Sequence, residues 1–486
     1  MSNPLWRLAK NFAAMLLVRG GDMIYAFLSM AILARYFGPS LYGDYVFIIS
    51  FVFIFNPIIN FGMPPIMVRE LAVKKASGSE YFGSGLAFRL IMAALALAII
   101  LAVFPLLALN RVQQLALLIF IVSEFSWLAF GIFGEVFIAF ERMEIGTYLF
   151  AVNRGLSLSL LLAISYFDFG FLAVFIAFGI INVLSLIVTI VIVRDNFLRP
   201  QLVWRTELLR FWLKAAWAMA ISSVIMQCFL RVDVYILRIF RDPAEIAYFE
   251  APYKIIAHTY FISAAIAIAF SPAFARMAQV NIAHFRPILE QCLKILLIIV
   301  LPLTAGAVIL GPHLIVPLLG PKFFPAEAAM ALLSWCILLA FFEPLLSAVL
   351  ISIKRTGVVL VIHVLALGVD VLLDLYLVPR YGYLGACYAN IAAYGTIFVI
   401  SFIMTYYFVG GFSLVQITGR VAPLGLLLAA GLYGYSYLAA WQVMSPKLFI
   451  TVGIFLALVL YPLLLVLSRA ITRQDLALLK ESMEHQ

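Results

Sequence analysis

Apolar residues run along this chain in stretches of about twenty, long enough to cross a hydrocarbon core as helices, with polar, Pro or Gly breaks between them. The runs lie near 13–36, 41–62, 85–109, 115–140, 145–167 and 170–193, then near 211–240, 245–272, 287–311, 326–353, 357–379 and 382–409, with a last pair near 418–441 and 447–468. A bilayer core leaves backbone groups no partner outside a helix or a closed barrel, so the pattern predicts an all-α integral membrane protein of about fourteen transmembrane helices. No soluble domain fits between the runs. The first run follows Arg7 and Lys10, continues through Arg19 and Asp22 to Arg35, and lacks a convincing cleavage site, so it reads as a retained span.

Composition agrees: 66% of the 486 residues are hydrophobic and 11% are charged, where a soluble domain carries roughly 25% charged residues. The formal charge of +9 could suggest nucleic acid, but basic residues of a membrane protein collect in cytoplasmic loops, so no nucleic-acid partner is expected. With an even number of spans both termini share one side. Placing them in the cytoplasm puts roughly 19 of the 32 Lys and Arg in or beside inner segments, which fixes the orientation expected in a plasma or inner membrane. Cys228, Cys292, Cys336 and Cys387 fall inside apolar runs without metal-ligand spacing, so neither a disulfide framework nor a metal site is expected.

The most basic connection, Arg194 to Lys214, suggests a boundary between two halves: 1–210 with six spans, 211–410 with six more, and 411–486 with the last pair and a cytoplasmic tail. The halves repeat. Arg35-Tyr-Phe-Gly-Pro39 and the residues to Tyr45 match Arg238-Ile-Phe-Arg-Asp-Pro243 and the residues to Phe249, and Pro65-Ile-Met-Val-Arg69 matches Pro272-Ala-Phe-Ala-Arg276. Six spans separate the copies, so they start on the same side as parallel repeats, a plan found in transporters.

These residues, with Phe37-Gly-Pro-Ser-Leu-Tyr-Gly43, Phe61-Gly62 leading to Arg69-Glu-Leu-Ala72, Arg231-Val-Asp233 before Ala251-Pro-Tyr-Lys254, and Val378-Pro-Arg-Tyr-Gly382, carry a resemblance. The chain resembles the polysaccharide transporter branch of the MOP superfamily, which includes Wzx-type oligosaccharide flippases. The resemblance implies two six-helix lobes in a V around a central cavity, alternating access, and export of an undecaprenyl-diphosphate-linked oligosaccharide from the inner to the outer leaflet. It implies no enzymatic activity. The partners it suggests are the lipid-linked oligosaccharide, membrane lipids and polysaccharide polymerase machinery of O-antigen or lipopolysaccharide synthesis. The last pair of spans could form a lipid groove or a partner surface, or simply pack.

A diphosphate needs cations, and a cation in a low-dielectric cavity holds it more strongly than one in water. Arg231 and Lys254 lie at similar depths, roughly 13 Å inside their spans. Arg154 is the counterpart in the first half, with Arg19 and Arg89 nearer the cytoplasmic mouth. Pairing competes with this reading: Arg19 with Asp22, Arg231 with Asp233, and Glu250 with Lys254 at helical spacing. His258 continues the Glu250–Lys254 stripe. Asp370 and Asp374, one turn apart, and Glu124 are candidates for proton or sodium coupling, with interhelical hydrogen bonding as the alternative. No cofactor is expected beyond such an ion. Tyr248 and Tyr253 could stack on sugars or pack, and Pro252 and Pro64–Pro65 could be hinges or plain kinks. A cation-coupled multidrug exporter and a membrane glycosyltransferase or polymerase are the other functions compatible with the pattern. The second copy carries Lys254 and His258 where the first has the uncharged run Ser50 to Phe55.

Overall fold

The computed structural model describes residues 4–73, 78–280, 285–413, 418–419, 421–439 and 446–468. Among them twelve helices are long and apolar enough to cross a membrane. One of these, Gly20–Val73, covers two of the expected spans, and Val421–Tyr437 is a shorter apolar helix, so every expected span finds a helical counterpart.

The contacts divide the chain into two compact units, Met1–Tyr235 and Ile236–Gln486. The division falls beyond the basic connection, because the helix that follows that connection packs with the first half. The final pair of helices belongs to the second unit.

The first unit contains α1 (Pro4–Phe53), α2 (Asn56–Asn60), α3 (Pro64–Val73), α4 (Gly78–Val103), α5 (Arg111–Ala139), α6 (Met143–Phe167), α7 (Phe171–Asn196) and α8 (Thr206–Phe229). Gly38, at φ 68°, kinks α1 just before Pro39. Asn110 and Gln113 form a reciprocal capping box that starts α5. Along α7 the exposed residues Ile176, Ile180, Leu184, Ile187 and Val191 are as apolar as the buried face of Val174, Ala177, Ile181 and Val193, as expected where lipid replaces water. A buried cluster at one end, including Met67, Phe82, Phe133, Phe137, Trp212 and Ala216, joins α3, α4, α5 and α8. The Trp212 indole donates to Ser84 Oγ at 3.0 Å, which satisfies its N–H in that cluster. Phe61 and Gly62 both have positive φ, and a Cβ on Gly62 would come within 2.5 Å of the Met219 side chain on α8. The Phe61-Gly62 motif is thus a tight turn pressed against another helix.

The second unit contains most of α9 (Val232–Phe240), then α10 (Pro243–Ala257), α11 (Tyr260–Val280), α12 (Phe285–Ile309), α13 (Gly311–Leu319), α14 (Ala326–Ala340), α15 (Glu343–Ser352), α16 (Thr356–Tyr381), α17 (Tyr383–Val409), α18 (Val421–Ala439) and α19 (Pro446–Leu467). Helices α16 and α17 pack most extensively, across a close approach in which a Cβ on Gly385 would lie 2.6 Å from the Leu377 backbone. The last pair packs on α12 and α13, with Gly425 against Leu301 and Gly453 against Leu310.

The internal repeat has a structural signature. Counted from Pro39 and from Pro243, helix geometry breaks at the same place in each copy, at Ile54–Phe55 and at His258–Thr259. The hairpins are also tied alike. In the first unit the Tyr36 hydroxyl donates to Asp168 Oδ1 at 2.9 Å and accepts from the Gly170 N–H at 2.7 Å, binding the first hairpin to the α6–α7 turn. In the second, Arg241 donates to the Val378 and Pro379 carbonyls at 3.0 and 2.8 Å, and Glu245 accepts from the Tyr383 N–H at 2.8 Å. These bonds bind the counterpart hairpin to the α16–α17 turn, the equivalent turn of that half. The Val378 to Gly382 motif is where they attach.

Candidate functional site

Charged and polar side chains inside each unit gather around the broken helices. A break frees backbone groups that hydrocarbon cannot satisfy, so buried polar partners must serve them. In the first unit the break after α1 is served from the end of α8 and the start of α9. The Tyr235 hydroxyl donates to the Ser50 carbonyl at 2.8 Å, and Arg231 Nη1 donates to Ser50 Oγ at 3.3 Å. Arg231 also lies over the Phe53 ring, 5.5 Å from its centre. Arg231 itself sits in a break, between α8 and α9.

Just past the first break, Asn56 on α2 donates to Glu124 Oε1 at 2.7 Å. Glu124 is buried on α5, within reach of the charges of Arg154 and Arg231. Arg154 on α6 forms an ion pair with Asp22 at 3.0 Å. Behind these charges Asn153 donates to Asn182 Oδ1 and Ser185 Oγ at 3.1 and 2.9 Å, and Asn182 donates to Ser123 Oγ at 3.0 Å. That network locks α5, α6 and α7 together beneath the charged residues.

In the second unit Lys254 occupies the position equivalent to Ser50, counted from Pro243 and Pro39. Its Nζ lies 3.7 Å from Glu250 Oε1; Glu250 is buried, while a third of the Lys254 side chain is exposed. His258, at the break, turns its Nδ1 to the Lys254 carbonyl. The Tyr253 and Tyr394 hydroxyls share a buried hydrogen bond, 3.2 Å long, between α10 and α17. A further break separates α14 from α15, where the Phe341 carbonyl accepts from Ser263. Glu343 opens α15, accepts from Ser347 at 2.7 Å and faces His363 Nε2 on α16 at 3.5 Å. Asp370 and Asp374 share the buried face of α16 with Ile362, Ala366 and Val378, and both are fully buried. Neither Asp370 oxygen makes a hydrogen bond among the described residues.

The structure thus brings Asp22, Glu124, Arg154 and Arg231 together in one unit, and Glu250, Lys254 and His258 in the other. Asp233 is buried at the start of α9. Arg89, expected nearer the cytoplasmic mouth, is 1% exposed, and both of its terminal nitrogens bond Glu135, at 2.9 and 3.1 Å, which ties α4 to α5. The side chain of Arg19 lies outside the described residues. Sequence reasoning missed Glu135, Asn56, Asn153 and Asn182, and the pairing of Glu343 with His363. Their partners are far apart along the chain; the only local signal was that each is polar within an apolar run. The four cysteines are free thiols, and among the described residues no group of three His, Cys, Asp or Glu side chains could hold a metal ion.

The comparisons with known proteins follow the same lines. The fold is similar to that of the lipid II flippase MurJ in an inward closed conformation, with a TM-score of 0.75 and 16% identity over 96% of this chain and 100% of that one. It is similar to an inward-facing multidrug resistance MATE family transporter of the MOP superfamily, with a TM-score of 0.66 and 14% identity over 82% of this chain and 98% of that one. The Vibrio cholerae MATE transporter VcmN, in its bent form, gives a TM-score of 0.54 and 15% identity, over 82% and 97% of the two chains. A search of the curated proteins finds no match. Residues 8–278, more than half of the chain, match the polysaccharide biosynthesis proteins; this chain belongs to that family and has the fold of MOP superfamily transporters.

Proposed function

We propose that this protein carries an oligosaccharide linked to an isoprenoid diphosphate, such as undecaprenyl diphosphate, from the inner to the outer leaflet by alternating access. The observation that carries the reading is the placement of cations. Each repeat breaks its second helix at the same position, and at the turn before each break a cation is held: Arg231 docked on Ser50 in one unit, Lys254 itself in the other. A diphosphate offers several acceptor oxygens to such cations, and the interaction strengthens where water is scarce. Membership of the polysaccharide biosynthesis family favours a sugar cargo, and the likeness to a lipid II flippase favours a lipid-linked one.

Asp370, Asp374 and Glu124 are the groups we assign to coupling. Two fully buried carboxyls one turn apart form a place where a proton or a sodium ion can be held, and loading such a site can bias one conformation over another. Both termini are assigned to the cytoplasm and the protein to the inner membrane, where the lipid carrier is loaded. Asp233, Glu250 and His258 position the neighbouring cations in this scheme.

Purified protein in vesicles, supplied with a panel of fluorescently labelled lipid-linked saccharides, tests the proposal. Movement of labelled lipid to the opposite leaflet, faster than in protein-free vesicles, is expected for at least one member. Absence of movement across a panel that contains the native cargo, together with drug-driven proton or sodium flux, would instead establish the multidrug-export reading.

A further inference from the structure

Arg154 is held differently from the locked cation Arg89. Its guanidinium carbon lies 4.6 Å from the centre of the Tyr25 ring, 4.5 Å from that of Trp127 and 4.9 Å from that of Phe150. Aromatic rings engage the faces of a guanidinium and leave its N–H edges for anions. At the edge, Nη2 meets Asp22 Oδ1 at 3.0 Å, while Nε is buried and makes no hydrogen bond among the described residues.

Two carboxylates act on this cation, and they differ in what holds them. Glu124 is 4% exposed and bonded to Asn56. The Asp22 side chain is 49% exposed, at the open side of the pair. Glu124 is therefore fixed by its bond to Asn56, whereas the half-exposed Asp22 can leave Arg154.

We infer that Asp22 is a stand-in anion: the diphosphate of the cargo displaces it from Arg154, while the aromatic box holds the guanidinium in place through the exchange. The inference rests on the proposed diphosphate cargo. An uncompensated cation within a span is costly, so a receptor that must stand ready between cargoes needs an internal counter-ion. A deeply buried partner, like Glu135 for Arg89, could not be exchanged. A half-exposed carboxylate binds weakly, and a diphosphate brings more acceptor oxygens and more charge to the same edge, including the position open at Nε. Loading is then an exchange of anions, and the return of Asp22 to Arg154 assists release.

The experiment uses the full-length protein in detergent, with geranylgeranyl diphosphate as probe and geranylgeraniol as its uncharged control. Binding is read from tryptophan fluorescence, with the Trp127 component assigned by Trp127→Phe. Asp22→Asn removes the competitor, so the diphosphate should bind about five- to tenfold more tightly, with no change for the alcohol. Equal or weaker binding of the diphosphate by Asp22→Asn would overturn the inference and leave the cargo reading intact. The unmodified protein supplies a second measurement if that variant folds poorly. In carbodiimide footprinting read by mass spectrometry, Asp22 should become more reactive when the diphosphate is added, and not when the alcohol is. Unchanged or reduced reactivity on diphosphate binding would equally overturn it. A wild-type protein and an Asp22→Asn variant that both prefer the alcohol, or bind neither probe, would contradict the diphosphate cargo itself.

Discussion

Individual side chains inside this protein fall into cations that are locked and cations that can be reached. Arg89 is locked: fully buried, it depends on Glu135 for both of its bonds. Removing one partner of such a pair leaves a buried charge uncompensated, so Glu135→Ala should lower the unfolding free energy in detergent by about 3–5 kcal/mol. The double replacement Arg89→Met with Glu135→Leu should recover most of that loss, since the cost lies in the orphaned charge. If Glu135→Ala unfolds like the parent protein, the structural role assigned to this pair is wrong. Ser50 makes the opposite case. Ser50→Ala removes the hydroxyl that receives Arg231 while leaving the carbonyl that Tyr235 uses, so the variant should lose less stability than Glu135→Ala, about 1.5–3 kcal/mol, and slow cargo movement in vesicles. The sequence shows that these charges lie in apolar runs, and hence that each needs a partner. It could not say which partner. Arg89 and Glu135 lie 46 residues apart, and Asp22, three residues from Arg19, pairs across helices with Arg154.

Among the elements, the helical spans were the most legible feature, because apolar length is a direct consequence of the bilayer and needs no tertiary information. The repeat was legible from proline, arginine and aromatic landmarks. The helix breaks were less so. Pro252 lies inside α10, and the break comes later, at His258–Thr259, the position that corresponds to the break at Ile54–Phe55 in the first copy. Proline alone would have placed it too early; the register between the copies locates it. The contact between α16 and α17 offers a test of packing at this scale. Gly385→Ala would press a methyl group into the Leu377 backbone, whereas Gly395 on the same helix has nothing within 4 Å of its added Cβ. Gly385→Ala should therefore destabilise the protein by about 1–3 kcal/mol, and Gly395→Ala should be neutral or slightly stabilising. Thermal unfolding of the two variants in the same detergent makes the comparison, and equal midpoints would contradict the close approach.

For the whole molecule, the sequence suggested a division at the basic connection because charge and polarity change there. Contacts divide the chain further on, between Tyr235 and Ile236, since Trp212 and Ala216 on α8 belong to the core of the first unit. Burial rather than charge decides where one unit ends, and burial cannot be read from a helix that is apolar on every side. Each unit nevertheless carries the same device, a broken helix with a cation at the turn before the break. If the device is a transport site, those two cations move the cargo. The direct measurement is the rate at which labelled lipid-linked saccharide crosses vesicle membranes containing the protein, compared with its Arg231→Ala and Lys254→Ala variants at equal amounts of folded protein. Loss of one charge-assisted contact to a phosphate, on the order of 1.5–3 kcal/mol, should slow each variant by about tenfold or more. Wild-type rates from both variants would contradict the account.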